Sequence, residues 1–216
     1  MLENKKHVFW QALFLTALFF LVGLVLGVYL EQIRSDDFSL AFSQSEISLY
    51  DSFALGRLTQ NNLVSCTDLK IASIDFADRI YEEARQLEKF DEKSKLTESL
   101  KSIHRKYDLL RTILWINVMD LREKCKDVNN VVYIYTYDTD DLKIRSKQIV
   151  WSRILSDLKD QRGDDIILIP IAVDSDLASL NSIIKPMNIT EFPVVIVNDN
   201  LVLYDLSSVD DLERYV

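Results

Sequence analysis

A run of 23 residues without a charged side chain, residues 8–30, constrains this chain most strongly. Only Gln11 and Thr16 within the run are clearly polar. As a helix it spans about 34 Å, enough to cross the hydrocarbon core of a bilayer with some tilt. A cleaved signal peptide is the alternative, but its apolar core is usually shorter and ends at small residues. The sequence therefore predicts a transmembrane anchor at residues 8–30 after a short cytoplasmic tail, residues 1–7.

The charges that flank this run predict its orientation. Lys5 and Lys6 precede it, whereas acidic residues outnumber Arg34 directly after it. Because positive charge is retained on the cytoplasmic side of a membrane, we expect residues 31–216 to lie outside the cytoplasm.

The acidic balance of the chain excludes two classes of partner. The net charge is −9, and no basic stripe interrupts it. Phosphate backbones attract Lys and Arg, so nucleic acid is not an expected partner, and electrostatic binding to anionic lipid is excluded as well. Apolar residues make up 48% and charged residues 27%, which is typical of a globular protein.

Helical periodicity predicts a connector at residues 31–62 and an antiparallel helical hairpin at residues 63–127. Thr67 or Asp68 is a suitable cap for the first hairpin helix, and the polar segment DEKSK at 91–95 is a suitable turn. Apolar residues recur at helical spacing in the connector and in both hairpin helices: Ile47, Tyr50, Ala54, Leu58; Leu69, Phe76, Ile80, Leu87; Leu96, Leu100, Ile103, Tyr107, Leu110, Leu114, Leu121.

The chain contains only two cysteines: Cys66 near the start of the predicted hairpin and Cys125 near its end. Their midpoint falls just after the predicted turn, so an antiparallel arrangement brings them together. A disulfide would persist outside the cytoplasm and would close a loop of about 60 residues, worth ~4 kcal/mol by loop entropy. Two free buried thiols and a redox-active pair are the alternatives.

From residue 128 the pattern changes to alternating strands and helices. The segments NVVYIYTYD, DIILIPIAVD, EFPVVIVND and NLVLYD are strand-like, and the last two are joined by a turn at 198–200. Helical segments follow the first and second strands and end the chain. The predicted order is β-α-β-α-β-β-α.

This order resembles the thioredoxin-like superfamily over residues 128–216, with TEFPVVIVNDN as its most specific piece. The resemblance implies an α/β thioredoxin-like C-terminal domain, in which Pro193 is the family's cis-proline and Phe192 precedes it. The redox enzymes of that superfamily carry C-x-x-C after the first strand. No cysteine follows Cys125 here, so the domain lacks the thiolate that thiol–disulfide exchange requires.

Four further features bear on function. Acidic residues after the first strand could bind a hard cation, but a solvated turn and a helix start explain them more simply. His7 and His104 lack neighbours at metal-ligand spacing, so neither a metal nor another cofactor is expected. Asn188 begins an N-glycosylation sequon. Trp115 lies on a second apolar face of its helix, which either packs on the C-terminal domain or forms an exposed binding patch.

These features predict a membrane-anchored protein without catalytic cysteines. The resemblance implies that the surface beside the cis-proline binds an extended peptide by main-chain hydrogen bonds. A redox protein using Cys66 and Cys125 is one alternative, and a structural, self-associating membrane-complex subunit is the other. The residues expected to line the peptide site are Tyr137, Asp138, Asp140, Asp141, Phe192 and Pro193.

Overall fold

The computed structural model describes residues 4–60, 64–91 and 98–216. The chain forms two compact units, Met1–Gln44 and Ser45–Val216. The second unit contains both the helical hairpin and all the strands of the sheet.

The first helix, α1, runs over Asn4–Gln60 and contains the predicted anchor. Its segment His7–Leu30 has a mean hydropathy of 2.6 and is long and apolar enough to cross a membrane. The large apolar side chains of this segment are exposed, as those of a lipid-facing helix are. The Thr16 hydroxyl donates to the Ala12 carbonyl at 2.9 Å, so this polar group is satisfied within the helix itself.

The predicted connector is helical over its first 30 residues, which belong to the same helix as the anchor. Residues 31–60 continue α1 without interruption, and residues 61–63 lie outside the described part of the chain.

Two helices form the predicted hairpin: α2, Cys66–Asp91, and α3, Glu98–Lys124. The cap of α2 is Ser65 rather than Thr67 or Asp68, because the Ser65 hydroxyl accepts from the Asp68 amide at 3.2 Å. Residues 92–97, which contain most of the predicted turn, lie outside the described residues. The predicted seam is buried at Leu69, Phe76, Ile80, Tyr107, Leu110, Leu114 and Leu121.

A disulfide joins Cys66 to Cys125 across the open end of the hairpin, which confirms the predicted pairing. The two Cα atoms are 5.7 Å apart and 59 residues apart in sequence. Cys125 is buried, whereas Cys66 is exposed at the first turn of α2.

The sheet contains four strands: β1, Asn129–Tyr135; β2, Ile166–Ala172; β3, Val194–Val197; and β4, Leu201–Leu203. Their order is β2-β1-β3-β4. Strand β1 pairs parallel with β2 and antiparallel with β3, and β3 pairs antiparallel with β4. The turn between β3 and β4 places Asn198 and Asp199 at positive φ, which these residue types tolerate.

Three helices follow the strands: α4, Leu142–Arg162; α5, Ala178–Ile184; and α6, Asp210–Glu213. The predicted order β-α-β-α-β-β-α is therefore confirmed. Helix α4 ends at Gly163, whose φ of 52° suits a residue without a Cβ.

Helices cover both faces of the sheet. On one face the α4 side chains Trp151, Leu155 and Leu158 form a core with Val131, Val195 and other residues of the strands and α6. Because successive strand side chains alternate, Val132 and Ile134 point to the other face, where α3 contacts β1, β2 and α5. The second apolar face of α3 packs in this layer: Trp115 and Val118 are fully buried. The result is an α/β arrangement around a small mixed sheet.

Candidate functional site

The sheet register brings the predicted site residues to one end of the sheet. Ile134, near the end of β1, lies opposite Val194, the first residue of β3. The loop 136–141 that follows β1 and the Phe192–Pro193 segment that precedes β3 therefore share that end. The peptide bond between Phe192 and Pro193 is cis, as the resemblance implied.

Phe192 retains main-chain groups that can bind a ligand. Its side chain is half-buried, whereas Pro193 is buried. Within residues 4–60, 64–91 and 98–216, neither the amide nor the carbonyl of Phe192 has a hydrogen-bond partner. Strand β4 pairs with β3 only from Val195 onward, so it stops short of Phe192. Unpaired backbone groups at the end of a sheet are the groups that an added extended segment would satisfy.

The neighbouring loop is held in place by two side chains. The amide of Gln148 donates to the Thr136 carbonyl at 2.9 Å and accepts from the Thr136 amide at 3.2 Å. The two carboxylate oxygens of Asp174 accept from the Tyr137 and Asp138 amides, each at 2.8 Å. The backbone amides of Thr136, Tyr137 and Asp138 are therefore occupied within the fold.

The acidic residues after Asp138 include a helix cap. Asp141 accepts from the Lys143 amide at 2.8 Å and from the Ile144 amide at 3.3 Å, which begins α4. Asp140 is exposed. In the described part of the chain, no group of three or more His, Cys, Asp or Glu side chains is arranged to hold a metal ion.

Helix α3 contributes a set of polar residues that the sequence reasoning missed. The His104 Nε2 atom lies 2.8 Å from the Tyr137 hydroxyl, and the ring centroids are 4.2 Å apart. Lys101 pairs with Asp138 at 3.6 Å, and Arg105 donates to the Asp176 carbonyl at 2.9 Å. These α3 residues recur at steps of three and four, which is the one sequence signal for a shared face.

Together these residues line a cavity of about 250 Å³ where α3 crosses the carboxyl ends of β1 and β2. At the base of the cavity lies Asp108, whose side chain is nearly completely buried. Its carboxylate accepts from the Ala172 amide at 3.1 Å and lies 3.7 Å from the Arg111 guanidinium. Desolvation raises the pKa of Asp108 to about 6, although Arg111 and the Ala172 amide act in the opposite direction.

We expect Asp108 to make the stability of the protein depend on pH. Because its pKa is higher in the folded than in the unfolded chain, its contribution is full below about pH 4 and is lost as the pH rises through 6. Asp108→Asn keeps an oxygen for the Ala172 amide but cannot ionise. Urea unfolding between pH 4 and 7 should show that this substitution removes a decline of roughly 2–3 kcal/mol.

The control for this experiment is Asp120→Asn, which removes an exposed carboxylate from the same helix. Its unfolding free energy should follow the wild-type profile across the same pH range. A decline that persists in Asp108→Asn would contradict the assignment.

The residues at this end of the sheet form a surface of polar side chains, and they include no thiol. Both cysteines of the chain are in the disulfide, and neither lies at this end of the sheet. The cavity residues bond mainly to one another and to the ends of β1 and β2. Asn188, the predicted glycosylation site, is exposed at positive φ after a short 3-10 turn, Lys185–Met187.

Comparison with protein-family models, with curated proteins and with solved structures finds no match for this chain.

Proposed function

We propose that this chain is a membrane-anchored thioredoxin-like protein that lacks the redox motif and binds an extended polypeptide segment outside the cytoplasm. The binding surface comprises Phe192, Pro193 and the exposed side chains of the loop 137–141. The protein acts as a binding or assembly module rather than as an enzyme.

The observation that carries this proposal is the open main chain of Phe192. An extended segment that runs beside this residue would pair with its amide and carbonyl, in the manner of strand addition to a sheet edge. The aromatic ring of Phe192 is half-buried at the same end of the sheet as Tyr137 and Asp138, and it would give such a segment an apolar contact.

The thioredoxin-like assignment is supported by the element order and by the sheet. The elements follow the order β-α-β-α-β-β-α from which the resemblance was drawn, and the last two strands, β3 and β4, pair antiparallel as a hairpin. The cis bond before β3 lies at the position that the resemblance assigned to Pro193.

The location outside the cytoplasm is supported by two independent features. Disulfides such as Cys66–Cys125 persist mainly in oxidising compartments. The basic residues Lys5 and Lys6 precede the apolar segment, as the positive-inside rule requires for this orientation.

Photo-crosslinking from position 192 tests the proposal. We expect full-length protein carrying a benzophenone amino acid in place of Phe192 to form protein adducts in native membranes several-fold above background. The matched control places the same group at Tyr215, an exposed aromatic residue at the opposite end of the sheet, where Asn198 bonds its carbonyl.

A second readout reports on the main chain itself. Amide hydrogen exchange at Phe192 should slow when the crosslinked partner, or a peptide from its adduct site, is added, because the open amide then gains an acceptor. Equal adduct yields from positions 192 and 215, or unchanged exchange at Phe192 with the partner bound, would refute the proposal.

A further inference from the structure

A second cleft lies between α2 and α4 over the β1–β2 edge of the sheet, and Tyr137 lines both this cleft and the first cavity. Its volume is about 530 Å³, within the range of small-molecule sites. Its walls are α2 and α4, and its floor comes from β1 and β2. Lys159 lies 3.2 Å from Asp78 and joins the two walls at one end.

The floor of this cleft is aromatic and apolar. Tyr133 and Tyr135 project from the same face of β1 with stacked rings whose centroids are 5.3 Å apart. Leu168 and Pro170 of the adjacent strand β2 extend this floor, and Tyr81 of α2 faces the same space. A planar or alkyl group would be desolvated here against aromatic carbon.

The walls of the cleft carry positive charge. Arg85 comes from α2, Arg111 from α3, and Arg145 and Arg153 from α4. In the described part of the chain, no Asp or Glu lines the cleft. The cleft is therefore locally positive, although the chain as a whole has a net charge of −9.

Three of these guanidinium groups have no hydrogen-bond or ion-pair partner in the part of the chain that the structure describes. Arg111 is committed to Asp108, 3.7 Å away. The side chains of Arg85, Arg145 and Arg153 make no hydrogen bond or ion pair with any other described residue. Guanidinium groups bind carboxylate and phosphate through paired N–H donors, and the binding strengthens where water is partly excluded.

The side of α4 that lines the cleft is largely polar. Arg145, Gln148, Ser152, Arg153 and Ser156 recur at helical spacing on one side of the helix. Of the buried residues of α4, Leu155 also lines the cleft, whereas Trp151, Ile154 and Leu158 do not. The side of α4 that faces the cleft therefore offers cationic and hydroxyl groups beside an apolar contact.

We infer that this cleft binds a small organic anion, a phosphate ester or carboxylate whose aromatic or alkyl body lies on Tyr133 and Tyr135 and whose charged group meets Arg85, Arg145 and Arg153.

Calorimetric titration of the full-length protein in a neutral detergent tests this inference. The probes are phenyl phosphate and benzoate, with inorganic phosphate and benzyl alcohol as the charge-only and ring-only comparisons. We expect at least one of the aromatic anions to bind about tenfold more tightly than inorganic phosphate or benzyl alcohol. Only an aromatic anion can contact the aromatic floor and the arginines of the walls at the same time.

Substitutions on the two walls locate the binding. Arg145→Gln with Arg153→Gln should weaken binding of the aromatic anion about tenfold or more, and Arg85→Gln on the opposite wall should weaken it as well. Lys143→Gln, which removes a charge from the exposed surface of α4 outside the cleft, should leave the affinity unchanged. Thermal unfolding of each variant verifies that it is folded.

Three results would overturn the inference. The first is no binding of either aromatic anion to the wild-type protein at millimolar concentration. The second is binding of benzyl alcohol as tight as that of the anions. The third is an equal loss of affinity in Lys143→Gln. None of these results bears on crosslinking from position 192, so this inference and the proposed function fail independently.

Discussion

Replacing Cys66 and Cys125 by serine should lower the free energy of unfolding by about 4 kcal/mol. The bond closes a loop of 59 residues that contains almost all of α2 and α3. Without it, the unfolded chain regains the freedom to separate these two ends. Because the hairpin packs as one layer against the sheet, we expect the lower stability to affect the sheet as well as the hairpin. Chemical denaturation of full-length protein, followed through the tryptophan signal, measures the difference.

Two comparisons separate the effect of losing the disulfide from other effects of these substitutions. Cys66→Ser alone changes an exposed side chain and should cost as much as the double replacement, because either change breaks the same bond. Wild-type protein treated with a strong reductant should reach the same reduced stability. A loss under about 1 kcal/mol in all three cases would contradict a structural role for the bond.

The same samples discriminate the redox alternative. A structural disulfide resists mild reductants until the protein unfolds, whereas a reversible pair is reduced while the fold is intact. Non-reducing mass spectrometry at increasing dithiol concentration distinguishes these outcomes. Reduction of native protein by a mild dithiol would favour a Cys66–Cys125 redox function over the binding module.

The elements that the sequence predicted well are those fixed by local pattern. The strand-like segments, the apolar residues at helical spacing in α3 and the turn at 198–200 each follow from local preferences. The disulfide was predictable because hairpin geometry relates its two cysteines through a single turn. The α2 cap was predicted two or three residues too late, since Ser65, Thr67 and Asp68 are all suitable caps.

The junction between the anchor and the helical connector shows what the sequence left undecided. The composition changes sharply after Leu30, from uncharged to strongly polar, and the prediction placed the boundary between these two segments there without deciding whether one helix spans both. That change indicates a change of solvent and not of backbone conformation. Residues 31–60 contain no proline and only one glycine, Gly56, so little in the sequence opposes continuation of α1 through Gln60.

The polar groups around the candidate site could not be predicted from local pattern. His104 and Tyr137 are 33 residues apart, and Asp108 and Ala172 are 64 apart, so their contacts depend on how the hairpin packs on the sheet. The cleft between α2 and α4 has the same origin, because its two walls come from distant segments. Pattern identifies which face of a helix is polar, but only the packing shows what that face meets.

Asp199 should be the most sensitive position in the β3–β4 turn, because three donors, two from α3 and one from β1, converge on its carboxylate. It accepts from Trp115 Nε1 at 2.8 Å, from Asn130 Nδ2 at 2.6 Å and from the Arg122 guanidinium at 2.5 Å. Trp115 and Asn130 are fully buried, so water cannot replace the lost acceptor for either of them. The carboxylate thereby ties α3 to the sheet end opposite Phe192.

We expect Asp199→Ala to lower the free energy of unfolding by about 3 kcal/mol, since it leaves buried donors and a partly buried guanidinium without their acceptor. Asp199→Asn retains one oxygen and tolerates the positive φ of 61°, so it should cost less. Asn200→Ala, at an exposed position in the same turn, is the control and should change stability by under about 0.5 kcal/mol.

Denaturant unfolding of the three variants measures these differences, and a loss below 1 kcal/mol in Asp199→Ala would show that the convergence of donors adds little.

Crosslinking from position 192 provides the complementary readout under conditions where Asp199→Ala remains folded. Because Asp199 acts at the far end of the sheet, the adduct yield should stay at the wild-type level. A yield that falls in proportion to stability would instead mean that the surface beside Phe192 depends on how firmly α3 is held against the sheet.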